Sequence, residues 1–207
     1  MKIGVVMCVA LASAALGAVA AWPLQDAKAK DTRGAPGQPS AAETARMMAA
    51  ATPGPQHKSL ANMVGHWKTD IAYVLAPGAP AMASSGTDDF TMTIDGRYLM
   101  DNHSSTGPMG PFKGMGITGY NNVTGTYENV WFDSMGTGIL YAKGTMEPGS
   151  DTVTYTGEYK DPMTGLMTGY RNIMHKVSAD AYTFQMWTKS GDAPEFMALD
   201  IKYARQK

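Results

Sequence analysis

Gly65-His66-Trp67 opens a run of strand-like segments that continues to Tyr203-Ala204-Arg205. Between these motifs, segments of about ten residues rich in Thr, Tyr, Val, Ile, Phe and Met alternate with turn residues such as Asp95-Gly96 and Pro148-Gly149. No segment has the length and periodicity of a crossover helix, so the pattern predicts an antiparallel sheet joined by hairpins. Closure removes the free edges of such a sheet, which favours a barrel over a two-sheet sandwich.

The turn signals divide this run into about ten predicted strands. Their predicted ranges are residues 66–76, 82–94, 97–105, 112–121, 126–134, 137–147, 151–159, 167–177, 181–189 and 195–205. A short helix is predicted over residues 41–51, because Ser40 and Glu43 have capping-box spacing, and one further helical turn is predicted over residues 57–64. The predicted fold class is all-β, a single antiparallel up-and-down barrel preceded by a short N-terminal helix.

The N-terminal residues have the pattern of an export signal. Lys2 precedes an apolar stretch over residues 3–16, and Ala18-Val19-Ala20 is a small-x-small cleavage motif. The predicted organisation is a signal peptide over residues 1–21, a flexible linker over 22–39 and a barrel domain over 40–207 that includes the helix. The small-x-small motif favours cleavage, and an uncleaved membrane anchor is the alternative. With cleavage, the sequence predicts a periplasmic or secreted protein without membrane contact.

Composition argues against several classes of partner. The single cysteine, Cys8, lies in the predicted signal peptide, so the mature chain would have no disulfide. The chain has 17 Lys and Arg against 18 Asp and Glu, and removing Lys2 leaves 16 against 18, a net charge of about −2. This balance disfavours nucleic acid and anionic membrane surfaces. The four histidines, at positions 57, 66, 103 and 175, do not have zinc spacing, so no metal site is predicted.

The motifs at the two ends of the run resemble those of the calycin superfamily, which contains lipocalins, fatty-acid-binding proteins and nitrobindin-like barrels. In those barrels a Trp closes one end and an Arg packs across it. The resemblance implies this structural role for Trp67 and Arg205. It also suggests haem ligation by a late-strand histidine, for which His175 is the candidate. We nevertheless expect no cofactor, with haem as the alternative, because the full haem motif is missing.

Motifs over most of residues 52–205 are similar to the bacterial family called domain of unknown function 1579, which exported proteins often carry. The motifs include Thr52-Pro53-Gly54-Pro55, Gly96-Arg97-Tyr98-Leu99, Gly119-Tyr120-Asn121-Asn122, Trp131-x-Asp133-Ser134-Met135-Gly136 and Asp161-Pro162-Met163-Thr164-Gly165. The resemblance implies a calycin-like barrel in a bacterial protein, and no activity comes with it.

Period-two alternation identifies candidate ligand-binding residues. Trp131 and Asp133 share a strand face, and two interpretations remain open: a wet pocket wall, or a Trp131 in the core with Asp133 capping the following turn. Arg97 and Arg171 could each hold a carboxylate or phosphate, because a guanidinium presents a planar fork of donors. With Tyr120, these residues are the predicted ligand contacts.

Two further motifs predict no chemistry. Gly114-Met115-Gly116-Ile117-Thr118-Gly119 alternates like a strand and opens no helix, so it is not a phosphate loop, and its glycines predict barrel curvature or close backbone approach. Asp88 and Asp89 lie on opposite faces of a strand and are therefore poor partners for acid–base catalysis.

Three functions are compatible with these features. The first is a periplasmic barrel that binds a small apolar or amphipathic molecule, since 15 of the 17 methionines follow the signal peptide and thioethers can line an adaptable cavity. The second is an enzyme that uses Asp133, Arg97, Tyr120 and His57 on a substrate in the cavity. The third is a structural protein that self-associates through its outer strands, for example as a homodimer.

Overall fold

The computed structural model describes residues 37–207, which form two helices and ten strands. The helices are α1 (Ala41–Ala51) and α2 (Pro55–Ala61). The strands are β1 (Gly65–Tyr73), β2 (Met82–Thr93), β3 (Tyr98–Gly107), β4 (Gly110–Asn121), β5 (Thr126–Asp133), β6 (Leu140–Thr145), β7 (Thr152–Lys160), β8 (Met167–Ser178), β9 (Ala181–Ser190) and β10 (Phe196–Arg205). The predicted signal peptide and residues 22–36 of the predicted linker lie outside the described residues.

The ten strands form one closed antiparallel barrel in which neighbours in sequence are neighbours in space. Closure is made by β1 and β10, whose register places Trp67 opposite Arg205 and Tyr73 opposite Leu199. This confirms the predicted fold class. Strand β6 is shorter than predicted, Leu140–Thr145, because the chain turns after β5 and reaches the ladder again only at residue 140.

Helix α2 lies at one end of the barrel, beside the start of β1. Pro55 occupies its first turn, where a missing N–H costs nothing, and the Gly54 N–H donates to His57 Nδ1 at 2.9 Å. Leu60 and the following Met63 are buried in the barrel core. The helix therefore forms the floor of the barrel interior.

Trp67 and Arg205 close this end of the barrel. Trp67 is fully buried, and its Nε1 donates to the Met63 carbonyl at 2.8 Å. The Arg205 guanidinium lies 4.2 Å from the centroid of the Trp67 ring. It also donates to the carbonyl oxygens of Val64 at 2.5 Å and Asn62 at 2.7 Å. One side chain thus joins the last strand to the segment between α2 and β1.

Helix α1 has no buried residues, and side chains from two barrel turns hold its C-terminal end. Asn122, in the β4–β5 turn, donates to three carbonyl oxygens at this end at 2.8–3.2 Å. Arg97, in the β2–β3 turn, donates to the Ala51 carbonyl at 2.9 Å. These contacts satisfy carbonyl groups that a helix leaves without intrahelical partners. Among the residues described, neither helix is long and apolar enough to cross a membrane.

Candidate functional site

The barrel encloses a cavity of about 470 Å³. Its floor includes Leu60 and Met63, and its lining reaches the β3–β4 hairpin and the β5–β6 loop at the opposite end. Met109 and Met135 lie at that end, where their side chains are 54% and 62% exposed. The cavity therefore extends from the α2 floor to a mouth rimmed by methionine side chains.

Aromatic side chains make up much of the cavity wall. The Phe, Tyr and Trp residues that line it are Tyr73, Phe90, Phe112, Trp131, Tyr155, Tyr159, Tyr170, Phe184 and Tyr203. Aliphatic and thioether side chains make up about half of the remaining lining residues, and the others are polar residues and glycines. Such a surface suits an apolar ligand, which gains free energy as its surface leaves water.

A chain of three polar side chains interrupts this apolar wall. Asp88 on β2 faces His103 on β3 directly in the strand register, and His103 Nδ1 lies 3.0 Å from both Asp88 carboxylate oxygens. With its proton on Nδ1, the His103 ring would donate to this carboxyl group. His103 Nε2 lies 3.0 Å from Ser105 Oγ. All three residues are buried, and all three line the cavity.

Asp101 adds a second carboxyl group to this part of the wall. It lies two residues before His103 on β3, and its Oδ1 atom is buried without a hydrogen-bond partner. Burial is the largest of the causes that together raise the pKa of Asp101 to about 9, and the negative charge of Asp88 and a hydrogen bond with it are the next largest. The same two carboxyl groups add to the burial that raises the pKa of Tyr203 well above its ordinary value. We call Asp88, Asp101, His103 and Ser105 the polar cluster.

Trp131 and Asp133 both line the cavity, as the pocket-wall interpretation predicts. Asp133 also has the turn-capping contacts of the alternative, because its Oδ1 accepts from the Met135 N–H at 2.8 Å and its Oδ2 accepts from Trp131 Nε1 at 2.9 Å. The Trp131 ring lies against the backbone of β4, where a Cβ on Gly114 would be 2.1 Å from Trp131 Cζ2. The predicted close backbone approach thus occurs at this glycine.

The other predicted ligand contacts do not line the cavity. Arg97 binds the end of α1, as described above. Arg171 lies on the opposite face of β8 from the cavity residue Tyr170 and makes a bidentate pair with Glu195, with nitrogen–oxygen distances of 2.8 and 3.3 Å. Tyr120 packs at the floor end, with its ring centroid 6.0 Å from that of His57.

These positions separate the four residues of the predicted catalytic set. Tyr120 and His57 are neighbours near the floor, Asp133 lies near the mouth, and Arg97 binds α1. The geometry therefore does not bring the four functional groups to one reacting centre.

The histidines occupy different environments. His175 is exposed on the outer face of β8, where its Nδ1 lies 2.9 Å from Thr152 Oγ1. His66 is exposed and pairs with Asp89. His103 alone among the four lines the cavity. Within residues 37–207, no group of three or more His, Cys, Asp and Glu side chains is arranged to hold a metal ion.

The polar cluster is not among the site residues predicted from the sequence. A signal was present, because Leu99, Asp101, His103 and Ser105 alternate along one strand and place three polar groups on the face of an apolar residue. Period-two alternation correctly places the adjacent carboxyl groups of Asp88 and Asp89 on opposite faces of β2. The partner of Asp88, however, is across the ladder, and only the β2–β3 register identifies it.

The architecture and its cavity define a calycin-like β-barrel protein. A family comparison matches residues 52–205 to the family described as "Protein of unknown function (DUF1579)". The chain belongs to this DUF1579 family. Comparison with curated proteins found no match.

Two solved structures are similar to this chain. The crystal structure of Rv2717c from M. tuberculosis is 14% identical, with a TM-score of 0.56, and the match covers 75% of this chain and 100% of that one. The structure of EF1p2_mFAP2b bound to DFHBI is also 14% identical, with a TM-score of 0.39, and covers 72% of this chain and 98% of that one. At this identity, the first similarity supports the barrel fold alone.

Proposed function

We propose that this protein is an exported barrel that binds a small apolar or amphipathic molecule in its interior. The observation that carries the proposal is the cavity of about 470 Å³, whose wall is mainly aromatic and aliphatic and includes the polar cluster. A barrel interior packed solid with side chains would leave no space for a ligand. Export to the periplasm rests on the N-terminal motif, with its basic Lys2, apolar stretch and small-x-small site.

Expression of the full sequence, followed by native mass spectrometry of the protein purified from the periplasm, tests both parts of the proposal. Cleavage is expected to give a chain beginning near residue 22, and a mass above that of the denatured chain would identify a retained ligand. The uncharged fluorophore N-phenyl-1-naphthylamine provides a second measurement, because its emission rises when it enters an apolar cavity.

A matched pair of variants assigns that binding to the cavity. Met174 lines the cavity, whereas its neighbour Ile173 lies on the opposite face of β8. Met174→Trp should reduce fluorophore binding at least tenfold by filling space, and Ile173→Trp should leave it within about twofold. Equal binding by both variants would refute the internal site, and no binding by the unmodified protein would refute the proposed function.

A hydrolytic activity is the second candidate, because Ser105, His103 and Asp88 are hydrogen-bonded in the order of a Ser-His-Asp triad. In that role His103 Nε2 would accept the Ser105 proton as the hydroxyl oxygen bonds to an acyl carbon, while Asp88 orients the imidazole. The imidazole would then give this proton to the leaving group as its bond to the acyl carbon breaks. Diisopropyl fluorophosphate should then form one covalent adduct that Ser105→Ala removes. Failure to modify Ser105 under conditions that label a control serine hydrolase would exclude this activity.

The third function class predicted from the sequence gains less support. All ten strands of residues 37–207 are paired within the barrel, so this part of the chain has no free strand edge that could pair with a second copy. A homodimer would have to form through side chains on the outer surface, and sedimentation of the purified chain measures this directly.

A further inference from the structure

Acidic side chains outnumber basic ones in the cavity wall. Three carboxyl groups line the cavity, from Asp88, Asp101 and Asp133, whereas none of its lining residues in the described part of the chain is Lys or Arg. The one basic side chain among these lining residues is His103, and its imidazole already makes hydrogen bonds with Asp88 and Ser105. A ligand with a carboxylate or phosphate would therefore enter this wall without a guanidinium or ammonium partner.

Unpartnered acceptors in the same wall indicate what a ligand must supply. Asp101 Oδ1 and Asn172 Oδ1 are buried without hydrogen-bond partners, and both residues line the cavity. A buried polar atom without a partner destabilises the empty protein by about 1–3 kcal/mol. Both atoms are acceptors, so hydrogen-bond donors on a ligand would satisfy them, and an ammonium group offers up to three donors.

The aromatic wall also favours a cation. Phe90 on β2 and Phe112 on β4 line the cavity beside β3, and Tyr203 is close enough for the charges of Asp88 and Asp101 to raise its pKa. The face of an aromatic ring attracts a cation within about 6 Å, most strongly where the site is desolvated. Aromatic rings can therefore hold both the apolar body and the charged head of one ligand.

We propose that the cavity selects ligands that combine an apolar body with a protonated amine, and that the amine binds the polar cluster at Asp101. This inference rests on the proposed binding function and names the ligand class of the same site. It differs from the anion clamp predicted for Arg97 and Arg171, since neither guanidinium lines the cavity.

Proton release on binding follows from this arrangement. The titratable groups near Asp101 are Asp88 and Asp89 on β2, His103 on β3 and Tyr203 on β10, while the cavity residues of β4 carry no titratable group. Because the pKa of Asp101 is about 9, its carboxyl group is protonated at neutral pH in the empty cavity. An ammonium stabilises the ionised form, so amine binding should release about one proton and tighten about tenfold per unit of pH between pH 6 and 8.

Three probes that share a phenylbutyl body and differ in head group test the inference: 4-phenylbutylamine, 4-phenylbutanol and 5-phenylpentanoate. Isothermal titration at pH 8 should give an affinity for the amine at least tenfold higher than for the carboxylate. Asp101→Asn should weaken amine binding at least tenfold, abolish its pH dependence and change alcohol binding less than twofold. Asp192→Asn, at an exposed turn position, is the matched control and should leave all three affinities unchanged.

The outcomes separate this inference from the function on which it rests. Carboxylate binding as tight as amine binding, or amine binding that Asp101→Asn does not weaken, would overturn the amine assignment while leaving a binding barrel. Binding of none of the three probes would overturn both. Retained folding of Asp101→Asn is verified by its circular dichroism spectrum and by its unchanged alcohol affinity.

Discussion

Asp101→Asn should stabilise the empty protein increasingly as pH rises. Below pH 3.8, the ordinary pKa of the carboxyl group, Asp101 is protonated in both the folded and the unfolded chain. Between that pH and about 9, the unfolded chain ionises the group while the folded protein keeps it protonated. The folded protein therefore binds one more proton than the unfolded chain in this window, and the free energy of unfolding falls as the pH rises through it.

The pKa difference sets the size of the effect. Where the two states differ by nearly one bound proton, the free energy of unfolding falls by about 1.4 kcal/mol per unit of pH. From pH 5 to pH 8, the wild-type protein should therefore lose about 4 kcal/mol relative to Asp101→Asn. An amide cannot ionise in this range, and it keeps a donor that can face the Asp88 carboxylate in place of the carboxyl proton.

Urea denaturation of residues 22–207 at pH 5, 6, 7 and 8 measures this difference directly. The free energy of unfolding of each variant is subtracted from that of wild type at the same pH, which removes the contribution of all other titrating groups to a first approximation. Asp192→Asn should give a constant difference. A difference for Asp101→Asn that varies by less than about 0.5 kcal/mol over the range would refute the buried, protonated carboxyl group.

Three substitutions test the packing that shapes the barrel. Arg205→Ala should lower the free energy of unfolding by about 2–3 kcal/mol, since it leaves carbonyl groups at the floor unpaired and removes the cation over Trp67, and urea titration measures the loss. Gly114→Ala should displace the Trp131 ring and destabilise the fold by about 1–3 kcal/mol, and an unchanged near-ultraviolet circular dichroism spectrum would contradict the close contact. Ile94→Asn should raise the urea midpoint by stabilising the fold by about 1 kcal/mol, because Ile94 has a φ of 48° and Asn tolerates this region better than a β-branched residue.

Local sequence was sufficient for the barrel because strand length, period-two alternation and turn chemistry are local properties. Hairpin connections then order the strands, and removal of free edges favours closure. The end of a strand is less well defined by these signals. At β6, for example, Gly136, Thr137 and Gly138 are compatible with an extended chain, yet the ladder with β5 begins only at Leu140.

The candidate site was less predictable because inside and outside are properties of the closed barrel. Alternation correctly placed Arg171 on one face with Ile173 and His175, but both faces of β8 mix polar and apolar residues, so the sequence did not show which face was internal. Arg97 presents a different problem, since its partner at Ala51 is 46 residues away and belongs to a helix that the barrel pattern does not position.

The polar cluster has an energetic property that separates it from the rest of the core. The carboxyl group of Asp101 is buried beside that of Asp88, and its Oδ1 has no hydrogen-bond partner. Both features reduce the stability of the empty barrel, whereas an apolar side chain at position 101 would avoid both penalties. Polar groups that break the rules of core packing are concentrated at functional sites.

A ligand amine would convert both penalties into favourable contacts, because it supplies the missing hydrogen-bond donor and neutralises the negative charge that Asp101 carries after its proton is released. Stability of the empty protein and affinity for an amine should therefore change in opposite directions in Asp101→Asn, and a variant that gains stability without losing amine affinity would show that the cluster is not the binding determinant.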